Sequence, residues 1–256
     1  MASAPKPTIV TVSGLIGSGK TSVCRELSAL TGWRVISAGT ILRRMAEERG
    51  LSVIELNEIA KTDKTIDKLI DDQLIALQDS AESLIVDSRL AWHFIANSFK
   101  IHLVVDTAIA GDRVFRAQRS DESYRTPEDA YAANAQRQTI ENERFKQYYG
   151  IDCEDWRNYD LILDSSTLAP QELGRIMYDA VRVAPPQASC LLSPLRLYVE
   201  GSAEPDADSL EITVIDGEIH VVRGAAFVTR SIEKQDALVA ARLIHYEGHP
   251  EAAGKR

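Results

Sequence analysis

Cysteine is scarce in this chain, and the three that occur, Cys24, Cys153 and Cys190, are far apart, odd in number and without C-x-x-C spacing. That pattern indicates neither a disulfide framework nor a zinc site, and it is typical of a reducing compartment. Long apolar runs are also missing, since none approaches the roughly 18–20 residues that a membrane span needs, and the N-terminus has no apolar core of signal length. We therefore expect a cytoplasmic protein without a membrane partner.

Basic residues are fewer than acidic residues in this chain. The chain has 29 Lys and Arg against 38 Asp and Glu, which gives a net charge of −9. Because the overall field repels nucleic acid, we expect no nucleic-acid partner, although a local basic cleft for phosphates remains compatible with this charge. What the chain does have is apolar residues, 45% of its 256 positions, which suffice for the core of one large or two modest domains.

A glycine-rich segment near the N-terminus, Gly14-Leu-Ile-Gly-Ser-Gly-Lys-Thr21, fits the P-loop pattern G-x-x-x-x-G-K-[ST]. A β-branched run precedes it and a helical pattern follows it, whereas a chance match in a Gly/Ser-rich loop would lack that context. In such a loop, Lys20 reaches the β/γ-phosphates and the Thr21 hydroxyl binds Mg²⁺. The predicted nucleoside triphosphate site consists of Gly14, Gly17, Ser18, Gly19, Lys20, Thr21 and Ser22.

Short apolar strands alternate with amphipathic helical stretches from residue 8 to about 183. This alternation favours an α/β fold, with a parallel sheet of five strands covered by helices on both faces. The predicted strands span 8–13, 33–37, 83–87, 100–106 and 159–164. All five end in Ser or Asp at the carboxyl side, where open α/β sheets bind their ligands, so we place the active cleft there.

A change of composition at Val183-Ala-Pro-Pro-Gln187 predicts a domain boundary. It divides the chain into a P-loop unit, 1–184, and a small α+β module, 187–256. In the module, alternating runs on either side of Asp216-Gly217 predict a β-hairpin with a two-residue turn. The strands expected there span 195–199, 210–215, 218–222 and 238–244, with room for a helix before the last of them.

A long polar helix is predicted from 127 to 149, framed by Thr126 as cap and Gly150 just past its end. It carries Arg137 and Arg144. Two interpretations stay open. The helix presents either a solvated face with i,i+4 ion pairs or a mobile arm whose arginines close over phosphates.

Four segments in sequence order narrow the function further. They are Ser37-Ala-Gly-Thr-Ile-Leu-Arg-Arg44, Ile85-Val-Asp-Ser-Arg-Leu-Ala-Trp92, Tyr148-Tyr-Gly-Ile-Asp152 and Asn158-Tyr-Asp-Leu-Ile-Leu-Asp164. Together with the P-loop they resemble the cytidylate kinase family, in its short form with a Ser-Ala-Gly motif after strand two. The resemblance covers about residues 8 to 183. It implies a nucleoside monophosphate kinase that uses ATP and Mg²⁺ and takes a monophosphate acceptor, first of all CMP or dCMP, giving CDP or dCDP.

The resemblance also implies an acceptor site after strands two and three, at Ser37, Gly39, Arg43, Asp87 and Arg89. Arg43 falls at the family's acceptor-phosphate arginine, and a planar guanidinium suits bidentate capture of a phosphate. Its neighbour Arg44 is the alternative, otherwise a surface helix residue. Asp87 is either a strand-end cap or a contact to the acceptor and, through water, to Mg²⁺. Ser88 stands where family members often have glycine, which alters the fit of the acceptor.

The stretch from Arg113 to Arg144 corresponds to the family's lid. In-line phosphoryl transfer spreads negative charge over the moving group, so catalysis needs cations and positioning more than a covalent nucleophile. By register with the family, the expected catalytic residues are Lys20, Arg137 and Arg144, followed by Arg113 and Arg116. We expect Arg119 to be a surface residue.

The C-terminal module resembles, over residues 210–244, the core of ParB-like and sulfiredoxin-like domains. In those domains a Gly-His-(His/Arg) turn carries the chemistry. The segment Val221-Val-Arg-Gly-Ala-Ala226 has the glycine of this turn but lacks the histidine or arginine that follows it. We therefore interpret it as a degenerate module with a regulatory or structural role. We expect Arg196 and Arg223 to lie on the surface, with contact to an anion as the alternative.

Two functions compete with a nucleoside monophosphate kinase. The first is a kinase of another small molecule of specialised metabolism, which would phosphorylate an alcohol. The second is an ATP-gated regulator, which would bind ATP without turnover. A regulator needs fewer cations placed for transfer than this sequence provides. No pattern in the sequence indicates an oligomeric state.

Overall fold

A computed structural model describes residues 8–51, 55–56, 59, 63–117, 124–183, 189–199 and 209–247. The strands of the first part are β1 (Ile9–Gly14), β2 (Arg34–Ser37), β3 (Leu84–Asp87), β4 (Ser98–Val104) and β5 (Leu161–Asp164). Its helices are α1 (Lys20–Thr31), α2 (Ala38–Glu48), α3 (Lys64–Ala76), α4 (Ala91–Phe94), α5 (Thr107–Ala117), α6 (Pro127–Tyr149) and α7 (Pro170–Val183). The C-terminal part consists of β6 (Ser189–Leu192), β7 (Leu197–Tyr198), β8 (Leu210–Ile215), β9 (Glu218–Arg223), α8 (Ala225–Glu233) and β10 (Val239–Glu247).

The first five strands form a parallel sheet in the order β2-β3-β1-β4-β5. Its central strands are apolar and buried on both faces, as in parallel sheets covered by helices. On one face, Leu27 of α1 and Met177 of α7 are fully buried against the sheet. On the other, Leu74 of α3 and Ala91 of α4 are buried against β3. The predicted α/β fold with a five-stranded parallel core is confirmed.

The sheet does not end at β5. Strand β6, which the sequence analysis did not predict, pairs in parallel with β5, and the sheet then runs through β10, β8 and β9 to β7. The predicted hairpin is confirmed as β8 and β9, joined by a turn in which Asp216 (φ 52°) and Gly217 (φ 82°) are both left-handed, as a type I′ turn requires. The division into two units stays a prediction. One continuous sheet contains strands from both sides of the predicted boundary.

One hydrophobic core also spans the two parts. Tyr159 and Ile162 from the first part are fully buried in the same cluster as Leu192, Ile212 and Val214 from the second. The C-terminal strands therefore complete the core of the first part as well as extending its sheet.

Helix α6 has the predicted bounds. The Thr126 side chain accepts a hydrogen bond from the Asp129 amide at its start, and Gly150 ends it in a left-handed conformation. Ala130 and Phe145 are buried on one side of it, while most of its other described residues are at least partly exposed. Both interpretations of this helix, ion pairs on a solvated face and a mobile arm that closes over phosphates, stay predictions. Among the described residues, no helix is both long and apolar enough to cross a membrane.

Candidate active site

The P-loop connects β1 to α1 with the shape that phosphate binding requires. Gly17 (φ 83°) and Gly19 (φ 80°) are left-handed, which turns successive backbone N–H groups toward the same concavity at the N-terminus of α1. Gly17 also allows a close approach, because a Cβ there would lie 2.7 Å from the carbonyl oxygen of Ala110 in α5. The Ser18 hydroxyl is buried and has no hydrogen-bond partner among the described residues, so it can bind a ligand.

Lys20 and Thr21 lie at the base of this loop. The Lys20 Nζ donates to the carbonyl oxygens of Gly14 (2.7 Å) and Leu15 (2.9 Å). The Thr21 hydroxyl donates to Asp87 Oδ2 (2.9 Å) at the end of β3. This hydroxyl and this largely buried carboxylate are hard oxygen ligands of the kind that Mg²⁺ prefers, so the residues fit the ion expected here. The role of Asp87 as a contact to the acceptor and, through water, to Mg²⁺ stays a prediction.

The ammonium group of Lys20 makes nucleotide binding depend on pH. Burial lowers its pKa to about 8, an effect that Asp87 partly offsets. A bound phosphate favours the charged form and raises this pKa, so binding takes up a proton above pH 8. We expect the affinity for a nonhydrolysable Mg-ATP analogue to be highest below pH 8 and to fall by up to about tenfold per pH unit above it.

Calorimetric titration of that analogue between pH 7.5 and 9.5 measures this dependence. The matched variant is Lys20→Arg, whose guanidinium stays charged throughout the range and should give a flat profile. An equally flat profile for the unmodified protein would contradict the assignment.

A single cleft of about 1230 Å³ begins at the P-loop and extends across the carboxyl ends of the parallel strands. Of the residues expected to bind nucleotide or acceptor, the lining includes Gly17, Ser18, Gly19, Lys20, Thr21, Ser22, Ser37, Gly39, Arg43, Asp87, Arg89, Arg113 and Arg144. Gly14 lies just behind the loop, where its Cα packs against Leu103 of β4. The strand-end location expected from the sequence is therefore where the cleft lies.

The residues expected to bind the acceptor begin at the first turn of α2. A Cβ at Gly39 would lie 3.6 Å from the Ser37 hydroxyl and 3.7 Å from Arg43 Nη1, so these three residues are immediate neighbours. The Arg43 side chain is held by a hydrogen bond from Nη2 to the Thr40 hydroxyl (3.0 Å). Arg44 instead forms an exposed i,i+4 ion pair with Glu48 (3.1 Å).

Arg89 connects the end of β3 to α6. Its guanidinium donates to Glu141 and to Asn142 and stacks over the Phe145 ring at 5.3 Å from the centroid. Trp92 Nε1 donates to the Arg89 carbonyl oxygen (2.9 Å) and so fixes the backbone there. The sequence analysis missed Glu141 and Asn142, because acidic and amide residues on a polar helix look the same whether they face solvent or a cation.

Helix α3 contributes two acidic residues that the sequence analysis also missed. Asp67 lies 3.8 Å from the guanidinium of Arg144, and Asp71 accepts a hydrogen bond from the Tyr149 hydroxyl (2.6 Å). Burial raises the pKa of both carboxyl groups. Asp67 Oδ2 and Arg144 Nε are buried and have no hydrogen-bond partner among the described residues, so both can bind a ligand. The i,i+4 spacing of Asp67 and Asp71 on an amphipathic helix was the sequence feature that could have indicated them.

The other lid arginines occupy different positions. Arg113 lines the cleft and donates from Nη2 to the carbonyl oxygen of Ser165 (2.8 Å). Arg116 is exposed and paired with Asp112 (3.0 Å). Arg137 lies within α6, but its side chain is outside the described part of the chain, as is all of Arg119. The catalytic roles of these arginines stay predictions.

His102 of β4 pairs in register with Ser13 of β1, the strand that leads into the P-loop. It is buried against the Tyr159 ring, with 4.6 Å between centroids. Burial lowers its pKa to about 3, so the imidazole is neutral at physiological pH. It is a packing residue of the sheet.

Residues 9–167 match the model of the cytidylate kinase-like family. The chain belongs to this family. A cytidylate kinase from Methanoregula boonei is 37% identical over 174 residues, which cover 67% of this chain and 93% of that protein. An S-adenosylmethionine-dependent nucleotide dehydratase from Lacinutrix mariniflava is 33% identical over 173 residues, 67% of this chain but 35% of that protein.

A solved structure is similar in fold. An uncharacterized protein from Eubacterium ventriosum gives a TM-score of 0.53 at 14% identity and covers 68% of this chain and 98% of that one. The family expected from the sequence motifs is confirmed, and it makes the protein a phosphotransferase of the nucleotide kinase type that uses ATP. The resemblance of the C-terminal part to ParB-like domains stays a prediction.

Proposed function

We propose that the protein transfers the γ-phosphoryl group of ATP to a nucleoside monophosphate, with CMP and dCMP as preferred acceptors, giving CDP and dCDP. The observation that carries this proposal is that one cleft joins a P-loop to a second set of cations. Lys20 of the P-loop lines this cleft together with Arg43, Arg89 and Arg144. Two groups of cations in one cleft suit two phosphate-bearing ligands placed end to end.

The preference for a cytosine base rests on the acidic residues of α3. Carboxylate oxygens accept hydrogen bonds from the exocyclic amine of cytosine, which uracil lacks. Asp67 and Asp71 line the acceptor side, and one oxygen of Asp67 is buried without a partner among the described residues. The cytidylate kinase from Methanoregula boonei, which matches over most of its length, supports the same acceptor.

The reaction needs no covalent intermediate. An oxygen of the acceptor phosphate attacks the γ-phosphorus in line, a new P–O bond forms, and the bond from the γ-phosphorus to the bridging oxygen breaks, releasing ADP. The acceptor phosphate is already ionised, so no general base is required, in keeping with a neutral, buried His102. Thr21 would hold Mg²⁺, with Asp87 supporting it through water, and the ion would offset charge on the triphosphate. Closure of α6 over the cleft would exclude water.

The acceptor is tested by ADP release from purified protein with Mg-ATP and CMP, dCMP, UMP, AMP, GMP or a panel of small alcohols. We expect the highest kcat/KM with CMP or dCMP. Turnover only with an alcohol would favour a kinase of another small molecule, and ATP binding without turnover on any acceptor would favour an ATP-gated regulator. Either result would contradict the proposal.

The role of Arg43 is tested against its neighbour. We expect Arg43→Met to raise the KM for the acceptor by roughly 10- to 100-fold, because a charge-assisted hydrogen bond contributes about 1.5–3 kcal/mol. The KM for ATP should stay within twofold. Steady-state kinetics with each substrate varied in turn measure both values.

Arg44→Met is the matched control. It removes the same charge one residue along the same helix, where the side chain also lines the cleft but forms an exposed pair with Glu48. We expect less than a twofold change in either KM. If Arg44→Met raised the KM for the acceptor more than Arg43→Met does, the assignment of the acceptor phosphate to Arg43 would be wrong.

A further inference from the structure

The turn after β5 forms part of the nucleotide side of the cleft. Its residue Leu168 lines the same space as the P-loop and Arg113. Arg113 is anchored on this turn through the carbonyl oxygens of Ser165 (2.8 Å) and Ser166 (3.4 Å). The position of the turn therefore sets the position of a cation that faces the ATP end of the cleft.

Asp164, the last residue of β5, holds this turn. The side chain is fully buried. Its Oδ1 accepts hydrogen bonds from the amide (2.9 Å) and the hydroxyl (2.6 Å) of Ser166. The same hydroxyl accepts from the amide of Asp106 (2.8 Å), and Asp106 in turn caps the first turn of α5. One buried carboxylate thus fixes both the turn and the start of the helix that carries Arg113.

The partners of the other carboxylate oxygen come from the C-terminal part of the chain. Asp164 Oδ2 accepts from the Ser193 amide (3.2 Å) and from Arg196 Nη1 (3.1 Å). The Arg196 side chain is only 19% exposed, so the expectation that it lies on the surface was wrong, whereas Arg223 is exposed as expected. A buried carboxylate requires a partner, and here Arg196 supplies the opposite charge. Sequence alone could not reveal a pairing across 32 positions.

We propose that Arg196 is a positioning residue for ATP binding. It holds Asp164, and through Asp164 the turn and Arg113, so the C-terminal part completes the nucleotide half of the active site. Arg196 lies beyond residues 9–167, the part of the chain that matches the family. The proposal rests on ATP binding at the P-loop, as the proposed function does, but not on the identity of the acceptor.

Replacing Arg196 by methionine keeps the length of the side chain and removes its charge and its donors. The buried carboxylate of Asp164 then loses its cationic partner, and the anchor of Arg113 shifts. We expect the Kd for Mg-bound β,γ-imido-ATP to rise by about tenfold, while the Kd for CMP on the opposite side stays within twofold. Calorimetry on the full chain measures both, after thermal unfolding has confirmed that the variant is folded.

Three further variants make the test selective. Arg223→Met removes an exposed arginine of the same part of the chain and should leave both affinities unchanged. Arg196→Lys restores the charge and should recover at least half of the affinity for the ATP analogue that Arg196→Met loses. If Arg196→Met does not fold, Arg196→Gln, which keeps one donor, should still weaken binding of the ATP analogue by about threefold.

The outcomes separate this inference from the proposed function. An unchanged Kd for the ATP analogue in a folded Arg196 variant would overturn the inference and leave the proposed function intact. Equal losses in the Arg196 and Arg223 variants would overturn it too. If Arg196→Met binds the ATP analogue more weakly while the unmodified protein fails to phosphorylate CMP, the inference is supported and the proposed acceptor is refuted.

Discussion

Lys20→Ala should lose nearly all phosphoryl transfer. The Lys20 ammonium is the buried cation of the P-loop, held by the carbonyl oxygens of Gly14 and Leu15 and close enough to Asp87 to be stabilised by it. Removing a preorganised group that stabilises developing charge costs roughly 10²–10³ in rate, and we expect a fall of that size in kcat/KM. Coupled measurement of ADP release at saturating acceptor checks it.

Lys68→Ala is the matched control for this substitution. Lys68 lies on α3 with 72% of its side chain exposed and pairs with Asp72 (2.8 Å). An exposed pair of this kind contributes little, so activity should stay within twofold of the unmodified protein. A Lys20→Ala enzyme that keeps more than a tenth of its activity would mean that the P-loop lysine is not part of the transfer.

A chain ending at Val183 should not fold. It lacks β6, the partner of β5, and it lacks the apolar residues that cover Tyr159 and Ile162. Burying an apolar side chain contributes about 1.5–3 kcal/mol, so exposing Tyr159 and Ile162 costs on the order of 3–6 kcal/mol. That is a large share of the whole stability of a typical domain, about 5–15 kcal/mol. Circular dichroism and thermal unfolding of the purified fragment test this expectation.

A chain ending at Glu247 provides the comparison. It keeps β6 to β10 and should unfold cooperatively, at a temperature close to that of the full chain. If the shorter fragment, 1–183, also unfolded cooperatively and phosphorylated CMP, the C-terminal part would be an independent appendage, as the proline-rich boundary suggests.

The sequence predicts the parallel core because its strands are short, apolar and bounded by polar strand-end residues. Strand β6 escaped prediction because Ser189-Cys-Leu-Leu192 is only four residues long and follows two prolines, so its pairing with β5 depends on contacts that no local pattern encodes. The hairpin turn at Asp216-Gly217, by contrast, depends on local backbone preferences and could be located from two residues.

The same distinction applies to the candidate site, where local sequence predicts some residues and not others. Gly17, Lys20 and Thr21 are contiguous, and their chemistry is fixed by local loop geometry, so sequence spacing suffices to identify them. The contact of Arg89 with Glu141 and that of Arg196 with Asp164 join residues 52 and 32 positions apart. Such contacts arise from the order of strands in the sheet, which composition and periodicity do not determine.

The central claim is that ATP and a cytidine monophosphate react directly in one cleft. The measurement that tests it most directly follows the label from [γ-³²P]ATP mixed with CMP and the full-length protein, with products separated by chromatography. We expect labelled CDP to form in amounts equal to the ADP released. ADP release without labelled CDP would show hydrolysis in place of transfer and would contradict the account.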